Sequence, residues 1–255
     1  MILSLYTAAA GMSAQQFHID TISNNLANVN TTAYKRVRPE FQDLLYLSVR
    51  RPAAPATPVG LDVGLGVYPA ASQTIFQQGD IQHTENPLDV AISGPGFFVV
   101  RGPSGEVYYT RDGSFKRDAA GTLVTSDGYR VEVAGARLLP DPENVSISRD
   151  GRLTYMDPDN RENEVDAGSL VVVQFDNPAG LEKVGHNLYR ASAASGAANR
   201  SLAGVSLEQG YLEASNVRAV EEMIGLITAQ RAYELNSKAV QASDELLSIV
   251  NNLRR

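Results

Sequence analysis

"ISNNLANVNTTAYKR", residues 22–36, closes one kind of sequence and opens another. Before it, apolar residues recur at helical spacing; within it Asn24, Asn25, Asn28 and Asn30 accumulate. Asparagine is a mediocre helix former, and its amide needs hydrogen-bond partners wherever it is buried. Two readings fit. Either the helix frays into a turn, which suits Asn30 with Thr31 and Thr32, or the amides of Asn24, Asn25 and Asn28 lie in an apolar seam between subunits and fix its register.

Working towards the N-terminus, Leu5, Ala8, Met12, Gln15, Ile19, Ile22, Leu26 and Val29 alternate three and four residues apart. That is a heptad seam with one polar interruption, and it predicts a helix of about 28 residues, roughly 40 Å long. The far end of the chain repeats the pattern at Leu235, Ala239, Ala242, Leu246, Ile249 and Leu253. Upstream, Val217, Val220, Ile224 and Ile227 form another seam, joined to it through a stutter at Arg231. One helix over 216–253 fits, with Ser215 and Asn216 where an N-cap belongs and Glu221 and Glu222 complementing the helix dipole. Helices this polar on their remaining faces are not expected to be stable alone. They are expected to fold fully only against other copies.

Between the helices the period falls to two. Asp112-Gly113, Asp127-Gly128 and Asp150-Gly151 are flanked by "VYYT", "YRVEV" and "RLTYM", each a tight-hairpin signal. "DVAIS", "GFFVV" and "LVVVQF" supply further strands. Residues 46–67 stand apart: Pro52, Pro55 and Pro58 precede Gly60, Gly64 and Gly66, unsuited to a helix interior. Yet Val59, Leu61, Val63, Leu65 and Val67 alternate strictly, which admits a short strand or packing along a neighbour. The expected class is α+β: a discontinuous coiled-coil domain from 1–35 and 213–255, an extended connector over 36–69, and a mainly antiparallel β domain over 70–212.

Composition narrows the functions. The 255 residues, 43% hydrophobic, allow one or two domains with a core; a net charge of −7 offers no basic footprint for nucleic acid. The absence of cysteine excludes disulfides, thiolate metal sites and cysteine nucleophiles. His18, His83 and His186 have no ligand-like spacing, so no metal or other cofactor is expected. "MILSLYTAAAGM" lacks a charged n-region and a small-residue cleavage site, and no apolar run is long enough for membrane insertion. The expectation is a cytoplasmic protein, or one exported without a cleavable signal.

Six blocks then carry a resemblance: "SNNLANVNTTAYKR" (23–36), "FQDLLY" (41–46), "NPLDVAISGPGFFVV" (86–100), "YTRDGSF" (109–115), "QGYLEASNV" (209–217) and "QRAYELNSKAVQASDELL" (230–247). Together, in this order, they resemble the bacterial flagellar rod and hook family, nearest to its distal rod type. The resemblance implies an axial structural subunit. Terminal helices would form a coiled-coil inner layer around a channel, with β domains outside. The subunit would leave through the type III export apparatus and polymerise with itself. Implied partners are the proximal rod proteins, the hook protein, the P- and L-ring proteins and a rod cap, at a basal body spanning the periplasm. An insertion after the first helix is associated in the family with a straight, stiff rod; here it would comprise Tyr46, Arg51, Pro52, Pro55, Pro58, Gly60, Leu61 and Gly64. The self-assembly residues would be those of the two helical seams.

The rivals are a proximal rod or hook-type member, a soluble adhesin with coiled-coil ends, and an enzyme. "DPDNRENEVD" (157–166) invites a calcium loop, but Arg161 and Glu162 stand where an oxygen ligand and glycine are required. A solvated hairpin tip fits better. "GPGFF" (94–98) reads as a turn into a strand, and no nucleophile elbow or phosphate loop is present, so no catalysis is expected. Tyr108, Tyr109 and Tyr129 are either a ring-contacting surface or cross-strand packing.

Overall fold

The N-terminal apolar steps build α1 (Ile2–Ala27) in the computed structural model, which describes residues 2–50, 60–135, 145–157, 160–200 and 204–253. The helix stops at Ala27, so Asn28 and Val29 lie past its end. Here the chain turns: the Thr31 and Tyr34 N–H groups donate to the carbonyls of Asn28 and Thr31, and Ala33 sits at φ 57°. The C-terminal seams form one continuous helix, α2 (Ala219–Leu253), through Arg231. Its start is later than residue 216. Asn216, expected as a cap, instead accepts from Arg36 N–H at 2.7 Å and donates to the Ile75 and Gln77 carbonyls at 2.9 and 3.0 Å.

Both helices belong to a first unit, Met1–Ala27, Val37–Thr74 and Arg218–Arg255. Its remaining elements are β1 (Val37–Asp43), β2 (Tyr46–Arg50), β3 (Leu61–Gly64) and β4 (Val67–Thr74). β1 pairs antiparallel with β4, from Val37↔Thr74 to Asp43↔Val67, and β2 pairs with β3. Of the alternating residues after Gly60, Leu61, Val63 and Val67 therefore enter strands, and Leu65 lies between β3 and β4. Arg51, Pro52, Pro55 and Pro58 lie outside the described residues, as does the side chain of Leu253.

The second unit, Asn28–Arg36 with Ile75–Val217, is antiparallel β. Two ladders tie its ends: β5 (Ile81–His83) with β20 (Tyr211–Glu213), and β6 (Val90–Ser93) with β19 (Ser206–Gln209). The largest sheet runs β17 (Glu182–Gly185), β18 (Leu188–Arg190), β8 (Val107–Thr110), β7 (Phe97–Arg101), β11 (Arg130–Val131), β10 (Leu123–Val124), β9 (Lys116–Arg117), with β16 (Val172–Val173) also on β7. A second sheet runs β12 (Val133–Ala134), β15 (Asn160–Leu170), β14 (Arg152–Asp157), β13 (Val145–Ile147).

The uninterrupted apolar run of "GFFVV" follows from β7 being buried on both faces. Phe98 and Val100 enter a core with Phe115, Ile147, Leu153 and Leu207; Phe97 and Val99 enter another with Val173, Phe175 and Tyr189. Edge-on rings knit both: Phe98–Phe115 at 5.0 Å and Phe97–Phe175 at 5.8 Å. Tyr108 meets Tyr129, and Tyr109 meets Phe175, so these tyrosines take part in packing within the unit.

Asp127-Gly128 and Asp150-Gly151 lie in hairpins joining β10 to β11 and β13 to β14, with both glycines at positive φ. Asp112-Gly113 does not; β8 pairs with β7 and β18, and β9 with β10. Gly113 answers a different need, because a Cβ there would fall 1.7 Å from the Val90 carbonyl oxygen. Of the acidic run, Asp157 ends β14 and residues 160–166 lie in β15, with Asp157 paired to Asn160.

Candidate functional site

Within the first unit α1 and α2 pack antiparallel, and the register can be read from side chains. Ser4 meets Ser243 at 3.3 Å, and Asn25 Nδ2 donates to Glu222 Oε2 at 3.3 Å. Between them Gly11 faces the Asn236 amide, where a Cβ would come within 2.9 Å, and Gly225 faces Ile22. Ser4, Gly11 and Asn25 share one heptad line of α1, which also carries His18; Glu222, Ala229, Asn236 and Ser243 share one line of α2. The two helices of one chain thus meet mainly through small and polar residues, with Ile22 of α1 packed over Gly225. Asn25 is locked further: its Nδ2 donates to the Val37 carbonyl at 2.8 Å and its Oδ1 accepts from Val37 N–H at 3.0 Å. Both ends of the Asn25 amide are thus bonded inside one chain, beside the place where the register role was expected of it.

The apolar seam of α2 lies elsewhere. At about 100° per residue, Val220, Ile224, Ile227 and Ile249 lie on the side of α2 turned away from Glu222, Asn236 and Ser243, and Leu246 flanks Ser243. They are exposed, Val220 by 66% and Ile224 by 58%; Leu235 reaches 67%, and Ala239 and Ala242 are exposed too. In α1, Ile22 is buried, whereas Leu5, Met12, Ile19 and Leu26 are half-buried and Asn24 is exposed. The sequence located the apolar residues, but in α2 they do not face α1.

The β2–β3 ribbon adds to this surface. Leu47 pairs with Val63 and Tyr46 with Gly64, so Leu47 and Val63 share one side, and the register shifts at Val49, between Ser48 and Arg50. Leu45, Tyr46, Leu47, Val49 and Leu61 are all exposed; Gly60 is half-buried, and Gly64 is half-buried beside the Tyr46 ring. A two-stranded ribbon with so little cover is marginal in water.

In the second unit lies a group that spacing did not reveal. Buried Glu213 accepts from Lys35 Nζ at 2.5 Å, Arg111 Nε at 2.7 Å and Gly79 N–H at 2.9 Å. Lys35 Nζ also donates to the Gln77 carbonyl, and Arg111 Nη1 to that of Gly96. Burial would raise the Glu213 carboxyl, but Arg111 and then Lys35 outweigh it and hold it below the usual carboxylate range. Burial pushes Lys35 down to about 8, with Arg111 adding and Glu213 opposing. The only sequence hint was that each charge sits inside a quoted block: "AYKR", "YTRDG" and "GYLEASN". The triad ties the turn after α1 to the strand before α2, and its groups are committed to one another rather than to a reaction. Among the described residues, no cluster of His, Asp or Glu is placed to hold a metal, and no helix is long and apolar enough to cross a membrane.

Three family models match the chain in order. They are "Flagella basal body rod protein" over residues 5–35, "Flagellar hook protein FlgE/F/G D1 domain" over 91–155 and "Flagellar basal body rod FlgEFG protein C-terminal" over 208–253. The flagellar basal-body rod protein FlgG of Borreliella burgdorferi is 46% identical over 270 residues, covering 100% of both chains. That of Caulobacter vibrioides is 42% identical over 98% of this chain and 99% of its own. That of Bacillus subtilis is 38% identical over 100% of each.

Proposed function

Because this chain belongs to the family of flagellar basal-body rod proteins, we propose that it is a distal rod subunit, polymerising into a straight hollow helical shaft that transmits torque and encloses an export channel. Its role is structural rather than enzymatic, and its place is the flagellar basal body, in assembly with other axial proteins. In this reading α1 and α2 form the coiled-coil inner layer of the shaft. The subunit travels unfolded through the type III apparatus without a cleaved signal. Proximal rod and hook proteins join its ends, ring proteins surround the shaft, and the 46–67 segment stiffens it.

One observation carries the self-assembly. Of the large apolar side chains exposed among the described residues, only Ile81, Met156 and Val184 belong to the second unit; all the others lie in the first. The β unit has finished its own burial, whereas the helical unit presents apolar surface that water penalises. The test is electron microscopy of the purified full-length chain, induced to polymerise, beside a chain lacking 1–30 and 217–255. Straight tubes from the full-length chain alone are expected. Discrete soluble oligomers from both would favour the adhesin-like reading.

A further inference from the structure

The exposed stripe of α2 is interrupted at its middle by charge with a net positive sign, Arg231 and Lys238 with Glu234 between them, all exposed and with no ion pair to any of the three among the described residues. Covering an apolar stripe desolvates such charges, so the covering surface needs a carboxylate. A second α2 packed two-fold and antiparallel would match the apolar ends of the stripe, but it would set Arg231 against Lys238 twice. Like charges brought together in this way oppose association.

The outward side of α1 has the complementary character. Asp20, on that side, is the only acidic or basic residue of α1 apart from His18, which lies on the line towards α2; Asp20 is exposed, with Oδ1 accepting from Gln16 Nε2 at 2.9 Å. Tyr6 and Phe17 lie on the same outward side, 59% and 36% exposed. Resting on the rod reading, we infer that this face of α1 on one copy covers the α2 stripe of the next, with Asp20 against Arg231. Copies related by a screw along the helices keep α1 and α2 antiparallel. Asp20 at Arg231 then brings Phe17 beside Leu235 and Tyr6 beside Leu246, so both aromatic rings meet leucines. The two surfaces differ, so the contact is heterologous and propagates instead of closing.

The chain has no cysteine, which makes crosslinking unambiguous. Polymer of Asp20→Cys/Arg231→Cys, mildly oxidised, is expected to give a non-reducing ladder of dimers, trimers and larger species. Arg231→Cys/Lys238→Cys should give none. Charge reversal is the second readout. Asp20→Arg alone should raise the protein concentration needed for polymer at least about tenfold, and Asp20→Arg/Arg231→Asp should restore it. Polymer without the Asp20–Arg231 ladder, crosslinking between Arg231 and Lys238, or no restoration by the double reversal would each overturn the inference while leaving the rod reading intact. If the unmodified chain forms no polymer, the rod reading itself fails, and the inference with it.

Discussion

At the residue scale the balance of charge around Glu213 decides how the β unit meets acid. Its carboxyl is held below the usual range in the folded chain, so its contribution to stability is complete above the unfolded value near 4.5 and is lost as pH falls towards the folded one. Glu213→Gln leaves Lys35 and Arg111 buried together without their counter-charge. The expected cost is about 3–5 kcal/mol, seen as a lower thermal midpoint at pH 7, with a flatter pH dependence on the acid side. An unchanged midpoint would show the triad to be dispensable. Beyond the place of each charge inside a family-like block, the triad was not legible in the sequence. Lys35, Arg111 and Glu213 are far apart along the chain, and only the folded β unit brings them to one point.

At the element scale the two terminal helices were legible in length and position, but which face meets which was not. Apolar steps point to Val220, Ile224 and Ile227, whereas the line facing α1 is Glu222, Ala229, Asn236 and Ser243, three of which hydropathy assigns to water. Small residues hold helices together by close approach and dispersion, and a count of apolar side chains misses both. Gly11→Leu tests this. The substitution favours an isolated helix by about 0.8–1 kcal/mol, yet it drives a side chain into the Asn236 amide. The expected result is loss of polymer in sedimentation, with the thermal transition of the β unit unmoved. Normal polymer from this variant would mean that the polar seam does not matter to assembly. The Asp-Gly pairs teach a related lesson: two lie in hairpins, and Gly113 serves a backbone approach that no dipeptide rule anticipates.

For the whole molecule, the contrast between a finished β unit and an unfinished helical one makes stiffness and stability separable. Deleting 50–62 is expected to change how polymer bends in electron micrographs while leaving the melting of the β unit within about 0.5 kcal/mol. A strongly destabilised β unit would contradict the proposed stiffening role. The antiparallel seam has another consequence. Ser4 and Ser243 are 239 positions apart, and Asn25 and Glu222 are 197 apart. Contacts between such distant positions form late, because a long loop must close before they reward it. A chain made or delivered from its first residue onwards therefore holds α1 without a mate until nearly everything else has arrived. The seam acts as a check on completeness: a prematurely ended chain can fold its β unit, but it lacks the paired helices that admit a finished one to the polymer.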